Sequence, residues 1–192
     1  MKQTLLFAVL LTVARISFAD PLPGNISQKN IYTDSTDLSV PAAPQLLAEI
    51  MKVTGLRSNF ELREAHVLNI EASVSHHKRY ILYNPAYINW ITNLTKDKWA
   101  ALALLAHEVG HHLNGHTIRK TGSTPALELE ADEFAGFILY RLGATLQQSQ
   151  EVMNYIAKIE TSSTHPGRND RMIAIQTGWS KAAGEETVNI KK

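Results

Sequence analysis

His107-Glu108-Val109-Gly110-His111 sits inside the most apolar stretch of the chain, and this pairing constrains the fold more than any other feature of the sequence. Two histidines four residues apart share one face of a helix, and there they can grip a single metal ion. The Glu beside the first histidine is then placed to take a proton from an attacking water. Leu102, Leu105, Ala106, Val109 and Leu113 recur on the other face, so the reading is a helix that buries one side and offers His107, Glu108 and His111 on the other. Such a site needs a third ligand from elsewhere in the chain.

Composition narrows the source of that ligand. The 192 residues contain no cysteine, which removes thiolate zinc sites, disulfide scaffolds and Cys nucleophiles together, leaving His, Glu and Asp. Glu128-Leu129-Glu130-Ala131-Asp132-Glu133 is the one dense acidic cluster. Glu128 and Asp132 are four apart and share a helix face with Ala131, Ala135 and Gly136, whose small side chains would let this helix lie against the first. Glu130 is about 200° from Glu128 at 100° per residue, on nearly the opposite side, and is expected to play no part in holding the metal. Glu128 is therefore the expected third ligand. Asp132 is the expected outer carboxylate, accepting the free N–H of a metal-bound His. His112 and His116 do not share the face of His107 and His111. The three-histidine pattern HExxHxxGxxH fails, because Asn114 and Thr117 stand where it needs Gly and His. Both are read as flanking or surface residues, like His66, His76 and His77.

The chain divides into four parts. Residues 1 to 19 have Lys2, the apolar run Leu5 to Leu11 and the small-residue close Ser17-Phe18-Ala19, the pattern of a secretory signal peptide cleaved after Ala19. Its removal takes Lys2 and Arg15 but no acid, leaving 17 basic against 18 acidic residues. No block of Lys and Arg tracks a phosphate backbone, so nucleic acid is not expected as a partner. No other run is long and apolar enough to cross a bilayer, and membrane contact would be peripheral at most. Residues 20 to 40, with Pro21, Pro23 and Gly24 and no apolar period, read as a loose arm. Residues 41 to 180 form the expected domain, and 181 to 192 a tail.

Within the domain a helix is expected over Pro41 to Gly55, then strands over Asn59 to Glu64, Val67 to Val74 and Arg79 to Tyr83, assembled as a small antiparallel sheet. Asn84-Pro85 starts a short helix to Trp90, and Thr95 caps the zinc helix, which runs to about Asn114. Thr124-Pro125 opens a helix that stops at Gly143, Thr145 and Gln148 make a capping box, and Asn169 to Gln176 is a last short helix. The fold class is α+β, mainly helical.

These motifs, with Thr164-His165-Pro166 and Arg171 after them, resemble in order the HtpX and CAAX-prenyl-endopeptidase family of zinc metallopeptidases. The resemblance spans residues 107 to 171. It implies a zincin-like fold, one zinc held by His107, His111 and Glu128, and Glu108 as general base. It also aligns Asn69, Ile70, Glu71 and Ala72 with an exposed edge strand that pairs with an extended peptide substrate. Integral-membrane members have several spanning helices and this chain has none, so the likeness is to soluble exported relatives, periplasmic or secreted. His165 is a candidate catalytic residue, as an electrophile for the oxyanion or as a removable fourth ligand. Arg171 is expected to pair with an acid of the 128–133 helix. The activity expected is zinc-dependent endopeptidase cleavage of exported or unfolded proteins. A noncatalytic, metal-stabilised module that holds such chains is the alternative, and intact Glu108 favours the enzyme.

Overall fold

The computed structural model describes residues 16–17, 42–118 and 122–184. The expected arm over 20 to 40, and all of the expected signal peptide except Ile16 and Ser17, lie outside the described residues.

A first helix, α1 (Ala43–Thr54), buries Leu46 and Ile50 and stops at Gly55, whose φ of 68° lies where a Cβ is disfavoured. Three strands follow, β2 (Glu61–Glu64), β3 (Ile70–Ser75) and β4 (Lys78–Tyr83), joined on the other edge by a two-residue strand, β1 (Ile16–Ser17). The sheet order is β1-β3-β4-β2. β3 and β4 form an antiparallel hairpin around His76 and His77, both at positive φ as a two-residue primed turn requires. Ile70 faces Tyr83 and Ala72 faces Ile81 across that hairpin, and all four are buried.

The sheet is mixed, not antiparallel as expected, because β2 pairs parallel to β4 with Glu61 opposite Tyr80 and Glu64 opposite Tyr83. The far edge of β3 lies over the helix that carries the HExxH motif, and Ala72 N–H donates to Glu108 there. That leaves β2 the other side of β4, and two strands separated by one hairpin point the same way.

Helix α2 (Pro85–Thr95) starts where expected, with Asn84 Oδ1 accepting from Ala86 N–H, but runs past Trp90 to Lys96 at φ 60°. Thr95 does not cap the next helix; its hydroxyl donates back to Ile91 O, and Asp97 accepts from the first N–H of α3 (Trp99–Leu113). α3 is buried all round from Ala100 to His112, so the face bearing the histidines is covered as fully as the apolar one. After a 3-10 turn (His116–Ile118) come α4 (Pro125–Leu142), α5 (Leu146–Gln150), α6 (Met153–Ile156) and α7 (Arg168–Ala183). Thr124 caps α4, Gly143 ends it, and the Thr145–Gln148 capping box is formed. α7 is twice the expected length, because its small residues pack along α4. A Cβ on Gly136 would stand 2.0 Å from Ile175 O, and one on Gly178 1.7 Å from Glu133 O. Gly136 thus serves the contact with α7. The contact with α3 is made by Ala131, whose Cα lies 3.3 Å from where a Gly110 Cβ would be. The layers are therefore a small mixed sheet over α3, with α1, α2 and the α4–α7 pair around it. Among the described residues no helix is long and apolar enough to cross a membrane.

Candidate metal centre

Helix α3 supplies His107 and His111 one turn apart, and α4, brought close by Gly110 and Ala131, supplies Glu128 from its first turn. The two imidazole Nε2 atoms are 2.9 Å apart. Glu128 Oε2 lies 3.3 Å from His107 Nε2, and Oε1 lies 3.5 Å from His111 Nε2. Ligands bonded at 2.0–2.1 Å in a tetrahedron stand about 3.3 Å from one another, so this triangle fits one metal ion. The three residues are fully buried and form a group that can hold a metal.

Protons and charge favour a cation at this point. His107 Nδ1 is 2.8 Å from Asp132 Oδ1, which as a carboxylate oxygen accepts, so a ring hydrogen is on Nδ1 and Nε2 is the atom turned toward Glu128 and His111. Arg171 closes that arrangement with two 2.7 Å bonds from Nε and a terminal nitrogen to Asp132. Glu71, Glu108, Glu128 and Asp132 are buried carboxyl groups, and Arg171 places one buried guanidinium among them. Ionised, the carboxylates leave a net negative charge that favours a cation. In the metal-free protein the balance falls on His107: burial opposes its charge, but Asp132 and Glu128 outweigh burial and push the ring up to about 9. His111 goes the other way, driven far down by burial and by the charge on His107.

Glu108 lies beside the triangle. Its Oε2 accepts Ala72 N–H at 2.6 Å, while its Oε1 is buried and has no hydrogen-bond partner among the described residues. Burial pushes this carboxyl up to about 8, with Glu128 and Glu71 adding to the push and His107 and the Ala72 N–H opposing it. A carboxyl fixed through one oxygen with the other free to meet a water is the geometry that general-base catalysis needs. Glu128 Oε2 faces His107 Nε2, while the Ser123 hydroxyl donates to Oε1.

No protein-family model, curated protein or solved structure matches this chain.

The structure therefore speaks through its own residues. It brings together His107, Glu108, His111, Glu128, Asp132 and Arg171, and it sets β3 over them. Asn69, Ile70, Glu71 and Ala72 are all buried, and the edge expected to be exposed carries Ile16 opposite Ala72 and Ser17 opposite Glu71. His165 is half-buried in the loop between α6 and α7, its Nδ1 2.9 Å from the Thr164 hydroxyl. His66, His76 and His77 are exposed as expected.

Two histidines were misplaced by the face argument. His112 is buried, stacked on Phe60 at 4.9 Å, and its Nε2 donates to Tyr80 O at 2.9 Å, which ties α3 to β4. Burial lowers its pKa to about 4, consistent with a neutral ring that accepts from Thr117 on Nδ1. His116 is buried too, 2.9 Å from His111, and the outward-facing Glu130 reaches it. A helical wheel could not place His116, because the helix has already ended at Asn114. Gly115, at φ 74°, turns the chain back under His111. A glycine directly after the helix is the one sequence signal for that reversal.

Proposed function

We propose that this protein is a zinc-dependent metalloendopeptidase that hydrolyses peptide bonds of exported or unfolded proteins. In this reading it is zincin-like, a soluble exported relative of the HtpX and CAAX-prenyl-endopeptidase family. One observation carries the reading: Oε1 of Glu108, with no hydrogen-bond partner among the described residues, lies beside a buried His–His–Glu triangle whose edges suit a tetrahedral metal. A group that only stores or binds a metal has no use for a buried carboxyl with one oxygen left open.

The donor set, two imidazoles and a carboxylate, is that of a hydrolytic zinc site with a free position. Zinc held there would polarise the scissile carbonyl and acidify water. Glu108 takes the proton from the attacking water on Oε1 and passes it to the leaving amine. Ala72 N–H fixes the Glu108 carboxylate through Oε2, so the oxygen that moves the proton is always the same one. Asp132 and Arg171 keep the His107 ring turned toward Glu128. An extended peptide pairs along the outer edge of β3, the edge on which Ile16 and Ser17 lie antiparallel. Main-chain pairing of that kind selects flexible chains over particular side chains. Residues 1 to 19 direct export to the periplasm or beyond.

Glu108→Gln tests the reading. The variant should fold and hold one zinc per chain, while cleavage of an unfolded polypeptide falls by about 10²–10⁴-fold. Wild-type cleavage rates in the variant would remove Glu108 from the chemistry. A wild-type protein that takes up zinc and cleaves nothing would leave the metal-stabilised binding module instead.

A further inference from the structure

The His111 side of the centre has its own support, built from residues outside the ligand set. His116 Nδ1 lies 2.9 Å from His111 Nδ1, and His116 Nε2 lies 2.8 Å from Glu130 Oε2. The His116 ring is fully buried, whereas 55% of the Glu130 side chain is exposed. Direction follows from the donor inventory. A carboxylate oxygen accepts, so the hydrogen of His116 sits on Nε2 and points at Glu130. A neutral imidazole with its hydrogen on Nε2 has a lone pair on Nδ1. That lone pair accepts from His111, whose hydrogen is thereby held on Nδ1. His111 Nε2 is left bare, 2.9 Å from His107 Nε2 and beside Glu128. The chain Glu130–His116–His111 sets both the tautomer and the tilt of the second imidazole.

We propose that His116, oriented by Glu130, is a positioning residue that holds His111 in its metal-binding tautomer, as Asp132 does for His107. The inference rests on the zinc reading above and adds a second arm to the centre. It reverses the expectation that Glu130 is irrelevant to the metal. Glu130 stays on the outer face of α4, but the turn at Gly115 brings His116 to it. Outer partners of a ligating histidine are worth about 10–100-fold in metal affinity, and His116 should fall in that range.

Zinc affinity of the full chain, measured by competition with a chromophoric chelator, tests this in wild type, His116→Leu, His116→Asn and Glu130→Ala. Leu fills the ring's space and accepts nothing, while the Asn side-chain oxygen can stand near the position of Nδ1. His116→Leu should bind zinc about 10–100-fold more weakly, and His116→Asn should recover most of that loss. Glu130→Ala, at an exposed position that does not threaten folding, should lose affinity by less than about tenfold. In 15N-histidine NMR of the zinc-loaded protein, the His111 Nδ1–H resonance should be sharp in wild type and shifted or exchange-broadened in His116→Leu. A purely space-filling His116 would leave that resonance alone. Folded His116→Leu with wild-type affinity and an unchanged resonance overturns the proposal, as does His116→Asn binding as weakly as His116→Leu. If His116→Leu does not fold, Glu130→Ala decides: unchanged affinity and an unchanged His111 resonance overturn it. A wild-type chain that binds no zinc overturns the zinc reading itself, which is a separate outcome.

Discussion

His107 and His111 face each other at 2.9 Å, yet they are held in place by unlike means. Behind His107 stand Asp132 from α4 and Arg171 from α7, an ion pair with two 2.7 Å bonds and no exposed atom of consequence. Behind His111 stand a ring contact to His116 and then Glu130, whose side chain is about half exposed. The first arm stakes a buried charge on each side, so breaking it strands the other partner. The second ends in water, which can replace whatever Glu130 supplies. One arm should therefore behave as part of the fold and the other as an adjustment to the metal.

The largest effect should come from the deep arm. Arg171→Leu leaves Asp132 buried without its guanidinium and should cost about 3–5 kcal/mol in urea unfolding of the metal-free protein. A loss under about 1 kcal/mol would mean the two arms do not differ in kind. Acid offers a second view of the same pair. Burial opposes ionisation of Asp132, but Arg171 and His107 outweigh it and hold the carboxyl below its ordinary 3.8. A depressed carboxyl contributes stability that is full above its unfolded-state pKa and is lost as pH falls through the folded one. Asp132→Asn should accordingly flatten the acid limb of the stability profile.

A smaller effect should follow from moving the helix that carries Arg171 without touching the pair. Gly178→Ala puts a Cβ 1.7 Å from Glu133 O, so α7 must withdraw from α4. The expected cost is about 1–3 kcal/mol, the range for overpacking, with the His111 Nδ1–H resonance unchanged because the hydrogen bonds of that arm run from His111 through His116 to Glu130. A shift of that resonance would show that the two arms are coupled. Smallest of all, Lys181→Ala removes a half-exposed ion pair with Glu133 across the same helices. It should change stability by under about 1 kcal/mol and leave zinc affinity alone. A larger loss would mean that surface charge, and not the glycine crossing, sets the distance between α4 and α7.

Helix starts and stops were legible wherever one residue does the work alone. Asn84, Thr124 and the Thr145–Gln148 box cap as their side chains dictate, and Gly55 and Gly143 end helices at positive φ. Thr95 misled because a hydroxyl near a helix boundary can serve either neighbour; it bonds back to Ile91, and Asp97, one residue before the N-cap position, accepts the first N–H of α3. The length of α7 was hidden because its buried side is Arg171, Ala174, Ile175 and Gly178 while Ile173 is exposed, which leaves little hydrophobic period to read. The parallel pairing of β2 was equally hidden, since strand order depends on which edge of β3 the centre occupies.

The sequence by itself determined the chemistry on offer. With no cysteine, and with His107, His111, Glu128 and Asp132 at four-residue spacings on two helices, local helix geometry alone puts each pair on one face. Tertiary structure decided how those faces meet and what stands behind them. The approach of α4 to α3 at Gly110 and Ala131, the bond from Ala72 N–H to Glu108 and the two arms ending in Arg171 and Glu130 all join residues from separate elements. Helical period reports only the direction in which a side chain leaves its own axis. What meets it is set by a neighbour's path, and at His116 by a single left-handed residue, Gly115, that no period contains.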